Sequence, residues 1–188
     1  MPTDQQQSES VPPVTADDHR HGPDQARVTV VMYGDYASDQ LRAVHATLKR
    51  LRQRLGDDLR LVFRHASRNR GDDPRAQFAQ PDAPTPSQRA AYLAEAAADE
   101  GRFWELQDRL LATPGPLNDE VLDVLAAEFG LGEVRFEAGH PYVTRVDASL
   151  ERAAQAGVRG TPTIYINGRR HDGSLDEPTL QAAIEAAR

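Results

Sequence analysis

A chain of 188 residues is long enough for one sizeable core, and length alone gives no reason to expect two. The formal net charge of −7 excludes a nucleic-acid backbone as the main partner, because phosphate binding needs a basic surface. The absence of cysteine excludes disulfides, zinc-thiolate sites and thiol catalysis within the chain.

Residues 1–26 are rich in Gln, Ser, Pro, Asp and His with few aliphatics, a composition that cannot bury enough surface to offset the entropy of ordering. A disordered tail is expected there. His19 and His21, two apart in that tail, make a weak metal pair because third and fourth ligands are missing. No metal and no cofactor are expected. The first residues carry neither a basic region nor an apolar core, and no window reaches the length of a membrane span, so the expectation is a cytoplasmic protein without membrane insertion.

The domain proper is expected over 27–188. Val28 to Tyr33 is an apolar, β-branched run that breaks at Gly34 and Asp35; after Ser38 the period becomes helical, with Leu41, Val44, Leu48, Leu51 and Leu55 on one face. Ser38 suits an N-cap, Asp39 the positive end of the helix dipole, and Gly56 a left-handed stop. Leu59 to His65 reads as a second strand, parallel to the first through a right-handed crossover. The stretch 66–87, with Pro74, Pro81, Pro84 and Pro86, reads as a surface loop.

A helical block follows over about 87–156. Ser87 is expected to cap its first helix, Gly101 interrupts, Phe103, Trp104, Leu106, Leu110 and Leu111 form a core face, and Pro114 and Pro116 end that piece. Asn118 caps a further helix, and another runs through Val143, Val146, Leu150 and Ala154. The chain then returns to sheet. Thr163 to Ile166 is a strand, Asn167-Gly168 a strong hairpin signal, Arg169 to His171 the returning edge, and a helix capped by Asp176 closes the chain.

Several stretches carry a family likeness: Asp18-His19 with Gly22-Pro23, Val28 to Val31, Tyr33-Gly34-Asp35-Tyr36, Val62 to His65, Gly101 to Glu105, and Gly157 to Gly168. Together they resemble the DsbA-like family, including the thioredoxin-like domains fused to some bacterial sodium/proton antiporters. The resemblance implies an α/β thioredoxin-like fold with a helical insertion. It also implies a Cys-x-x-Cys motif after Gly-Asp-Tyr and one further residue. Here those letters are Ala37 and then Ser38-Asp39-Gln40-Leu41, so both thiol positions are replaced.

Exchange requires a thiolate to attack a disulfide and a second thiol to resolve the product. The hydroxyl of Ser38 and the methyls of Leu41 supply neither, so thiol–disulfide oxidoreductase activity is not expected despite the family's being one of such enzymes. The family's proline after the insertion is cis, which the resemblance places at Thr161-Pro162. That would turn the Thr161 backbone toward an extended peptide as an added strand. The ligand-binding residues implied are Tyr36, Ser38, Asp39, Gln40, Leu41, Gly160, Thr161 and Pro162, with an anion at the helix tip as a further expectation.

The leading reading is therefore a redox-inactive module that binds an extended peptide or partner protein. One alternative is an enzyme with Ser38 as nucleophile and His45 or His65 as base, oriented by Asp35 or Asp39. Another is an accessory or oligomerisation protein of a transporter or redox system, with a homodimer among the partners it would form.

Overall fold

The computed structural model describes residues 11–66, 84–132, 134, 137 and 139–188. The opening run becomes strand β2 (Val28–Gly34) and the amphipathic stretch becomes helix α1 (Asp39–Leu55), which Ser38 caps and Gly56 ends with a positive φ of 56°. After a short 3₁₀ turn, strand β3 (Leu59–His65) lies parallel to β2, with Val30 opposite Leu61. Helices α2 (Pro86–Asp99), α3 (Phe103–Ala112), α4 (Asp119–Glu128) and α5 (Pro141–Gln155) follow. Strand β4 (Thr163–Ile166) then runs antiparallel to β2, strand β5 (Arg169–Arg170) pairs with β4 through the Asn167-Gly168 turn, and helix α6 (Glu177–Ala186) closes the chain.

The structure adds one strand to those expected. Strand β1 (His19–His21) pairs antiparallel with β3 and completes a sheet ordered β1-β3-β2-β4-β5. The expected tail is thereby corrected over 11–26, while residues 1–10 lie outside the described residues. The segment is ordered despite its polar composition because it is held by polar contacts as well as by aliphatic burial. Arg64 donates to both carboxylate oxygens of Asp18, at 2.6 and 2.8 Å, and to the carbonyls of Pro12 and Pro13 at 3.0 and 2.9 Å. Val11 and Val14 pack against the small apolar cluster on that side of the sheet.

Both faces of the sheet are covered, which is why its central strands read as continuous apolar runs. Val28, Val30 and Met32 point into the larger core with α1 and α6, whereas Val31 and Tyr33 point the other way, onto Tyr165 and Ala153. The loop expected over 66–87 falls outside the described residues from 67 to 83. At its end the cap differs from expectation: Thr85 accepts from the Gln88 amide and the Gln88 side chain reaches back to the Thr85 N–H, a reciprocal box with Pro86 in the first turn. Ser87 is released from capping and donates instead to Asp35.

Candidate functional site

The sheet delivers two loops to one place. The first leaves β2 at Gly34, where an added Cβ would lie 2.7 Å from the Phe63 ring and 2.8 Å from a Leu41 methyl, so glycine lets the first turn of α1 close over the strand end. Asp35 shapes that turn. Its carboxylate accepts from the Ala37 N–H at 2.9 Å and from Ser87, while its carbonyl accepts from the Ser38 N–H at 2.9 Å. The second loop precedes β4, contains the cis Thr161-Pro162 peptide, and is braced by the Thr163 hydroxyl donating to the Gly160 carbonyl at 2.7 Å.

Ser38 joins them. Its Oγ accepts from the Leu41 N–H at 3.2 Å and donates to the Thr161 carbonyl at 3.4 Å. The residues expected at the site divide by accessibility. Asp39, Gln40 and Gly160 are exposed, with Ala37 beside them, and Pro162 is half-buried. Ser38 and Thr161 are only 6% and 8% exposed, so they meet an incoming chain chiefly through their backbone.

Tyr36 and Leu41, expected to line the groove, are core residues at 1% and 0% exposure. Tyr36 points inward to donate to Gln107, and burial pushes its hydroxyl pKa well above the ordinary value. The helical period that put Leu41 on the buried face of α1 already told against its lining a surface. The anion expected at the helix tip also meets opposition. Asp35 and Asp39 set two carboxyl groups beside a dipole end worth about half a positive charge.

Neither histidine expected as a base reaches Ser38. His45 turns its Nε2 to Asp108 at 2.7 Å, and His65 turns its Nε2 to Glu95 at 3.0 Å. Neither ring hydrogen-bonds to Ser38, whose Oγ faces the Thr161 carbonyl instead.

A second polar cluster lies behind this surface. Glu95, 3% exposed on α2, accepts at Oε1 from His19 at 2.6 Å and His65 at 3.0 Å, and at Oε2 from Arg145 at 2.7 Å. Arg145 also reaches Asp99 at 2.8 Å. Burial pushes the Glu95 carboxyl upward, but the hydrogen bonds from both histidines outweigh it and hold the group below the usual carboxylate range. Burial outweighs the opposing pull of Glu95, brings His65 below its ordinary value and so favours a neutral ring. Glu95 and Arg145 were not anticipated. The available signal was a lone carboxylate on the Ala91, Ala94 and Ala97 face of α2, all buried.

The same framework recurs elsewhere. A family model described as thioredoxin matches residues 14–186. A Na(+)/H(+) antiporter NhaA of Nitrosospira multiformis is 35% identical over 173 residues, 89% of this chain and 25% of the antiporter. One from Herminiimonas arsenicoxydans is 35% identical over 181 residues, 94% of this chain and 27% of its own length. The chain thus spans about a quarter of these relatives. Among solved structures, a thioredoxin-like oxidoreductase from Silicibacter pomeroyi superposes with a TM-score of 0.72 at 25% identity, covering 93% of this chain and 94% of that one. Oxidised BdbD from Bacillus subtilis gives 0.73 at 21% identity over 95% and 96%.

Among the described residues no helix is long and apolar enough to cross a membrane. The expected cytoplasmic location gains no support from these neighbours, one of which is a periplasmic thioredoxin-like protein from Salmonella enterica.

Proposed function

The chain belongs to the thioredoxin family, in its DsbA-like form, and on that premise we propose that it is a redox-inactive docking module for an extended peptide or partner segment. The observation that carries this reading is the approach of Ser38 Oγ to the Thr161 carbonyl at 3.4 Å, which sets the tip of α1 beside the loop before β4 in a chain without a single thiol. What an incoming strand would touch is Ala37, Asp39, Gln40, Gly160 and Pro162, with backbone polar groups of the loop as its pairing partners. Thiol exchange is chemically closed to this chain, because it supplies neither an attacking thiolate nor a resolving thiol.

The test is an amide NMR titration with a library of extended peptides. Shifts at 37–41, 159–161 and 163, lost in Gly160→Trp, are the expected result; a Cβ added at Gly160 meets no atom within 4 Å, so the new side chain starts into open space. Peptides that bind while these amides stay still would remove the reading.

The antiporter relatives favour a second reading, in which the docked segment belongs to a transporter and the module is its accessory. Co-purification with such a transporter, abolished by Gly160→Trp, supports it; retention in that variant, or a homodimer through another face, counts against it.

A further inference from the structure

We infer that His19, His65 and Glu95 form a site for one divalent cation of the zinc type. The three donor atoms, two imidazole nitrogens and Glu95 Oε1, lie within 4.8 Å of one another and come from β1, β3 and α2. Two imidazoles with one carboxylate suit a borderline ion such as Zn²⁺, with water completing a tetrahedron. Metal–donor bonds of about 2.0–2.1 Å set tetrahedral donors about 3.3 Å apart. The His19 and His65 contacts with Glu95, at 2.6 and 3.0 Å, need only a small expansion to admit the ion.

The surroundings are those of a built site. Arg145 holds the second Glu95 oxygen at 2.7 Å, fixing the carboxylate so that Oε1 faces the histidines. Asp99 offsets the Arg145 charge, leaving the cluster one net negative charge for a dication. The His19 ring stacks on Phe103 with centroids 3.5 Å apart, which orients it, and its side chain is 17% exposed, which gives the ion a way in. His65 Nδ1 is buried without a hydrogen-bond partner, so the ring proton can move there from Nε2 without breaking another contact. His21, two residues along the strand, turns toward Trp104 and takes no part.

The test uses the full chain stripped with chelator and titrated with Co²⁺ and Zn²⁺. One Co²⁺ per chain with the visible bands of four-coordinate cobalt is expected, at least tenfold weaker in His19→Gln and unchanged in His21→Gln. In the unmutated chain, Zn²⁺ should shift the ring ¹⁵N signals of His19 and His65 together, a readout that stands even if a variant fails to fold. Absence of one-to-one uptake, unmoved ring signals, or binding lost in His21→Gln and kept in His19→Gln would overturn the site. These results are independent of the peptide titration, since neither histidine lies on the docking surface.

Discussion

Arg64 on β3 grips Asp18 with two hydrogen bonds, 2.6 and 2.8 Å long, and both side chains are about nine-tenths buried. This bidentate pair ties the N-terminal segment to the sheet, and the same guanidinium donates to the Tyr33 hydroxyl at 2.8 Å. Removing Asp18 leaves the desolvated Arg64 charge without a counter-charge, held only by the neutral acceptors Tyr33, Pro12 and Pro13. Asp18→Ala should therefore cost about 3 kcal/mol, read as a lower urea midpoint, and should open 11–26 to proteolysis. An unchanged cleavage pattern would mean that Val11, Val14 and strand β1 hold the segment without the pair.

Asp108 on α3 links that helix to α1 by accepting from His45 at 2.7 Å and from Lys49. Burial pushes its pKa up, but the hydrogen bonds from His45 and Lys49 prevail and leave it below the ordinary value. A carboxylate with a depressed folded pKa contributes stability that is complete above its unfolded pKa, about 3.9, and is lost as pH falls through the lower folded value. Asp108→Asn should lower the melting temperature at neutral pH and flatten the acid limb of the stability profile. Parallel acid limbs for the two proteins would assign no linkage to this group.

Restoring sulfur separates scaffold from chemistry. The unmodified chain should show no turnover in an insulin-reduction assay, and Ser38→Cys alone should stop at a mixed disulfide because no second thiol resolves it. Ser38→Cys with Leu41→Cys should turn over, at a stability cost of about 2 kcal/mol for emptying the buried Leu41 position. Turnover by the unmodified chain would refute redox inactivity. A folded double variant with no turnover would show that the scaffold has lost more than its thiols.

Much of the framework was legible locally. Strands β2, β3 and β4 declared themselves by β-branched runs, α1 by a period that ends at Gly56, and the caps at Ser38, Asn118 and Asp176 by side chains that accept from amides three residues on. Local reading went wrong where two signals competed. Ser87 looked like the cap of α2, but Thr85 and Gln88 close a reciprocal box two residues earlier, which frees Ser87 for Asp35.

What the sequence determined by itself was the alternation of elements, the missing thiols and the charge balance, because periodicity, capping and composition depend on neighbours a few residues apart. Tertiary structure alone decided that Tyr36 is buried, that Arg64 reaches back to Asp18, and that Glu95 gathers His19, His65 and Arg145. Those contacts span 30 to 76 residues of chain. No local pattern encodes them; a buried charge acquires its partners only when packing brings distant elements to the same point.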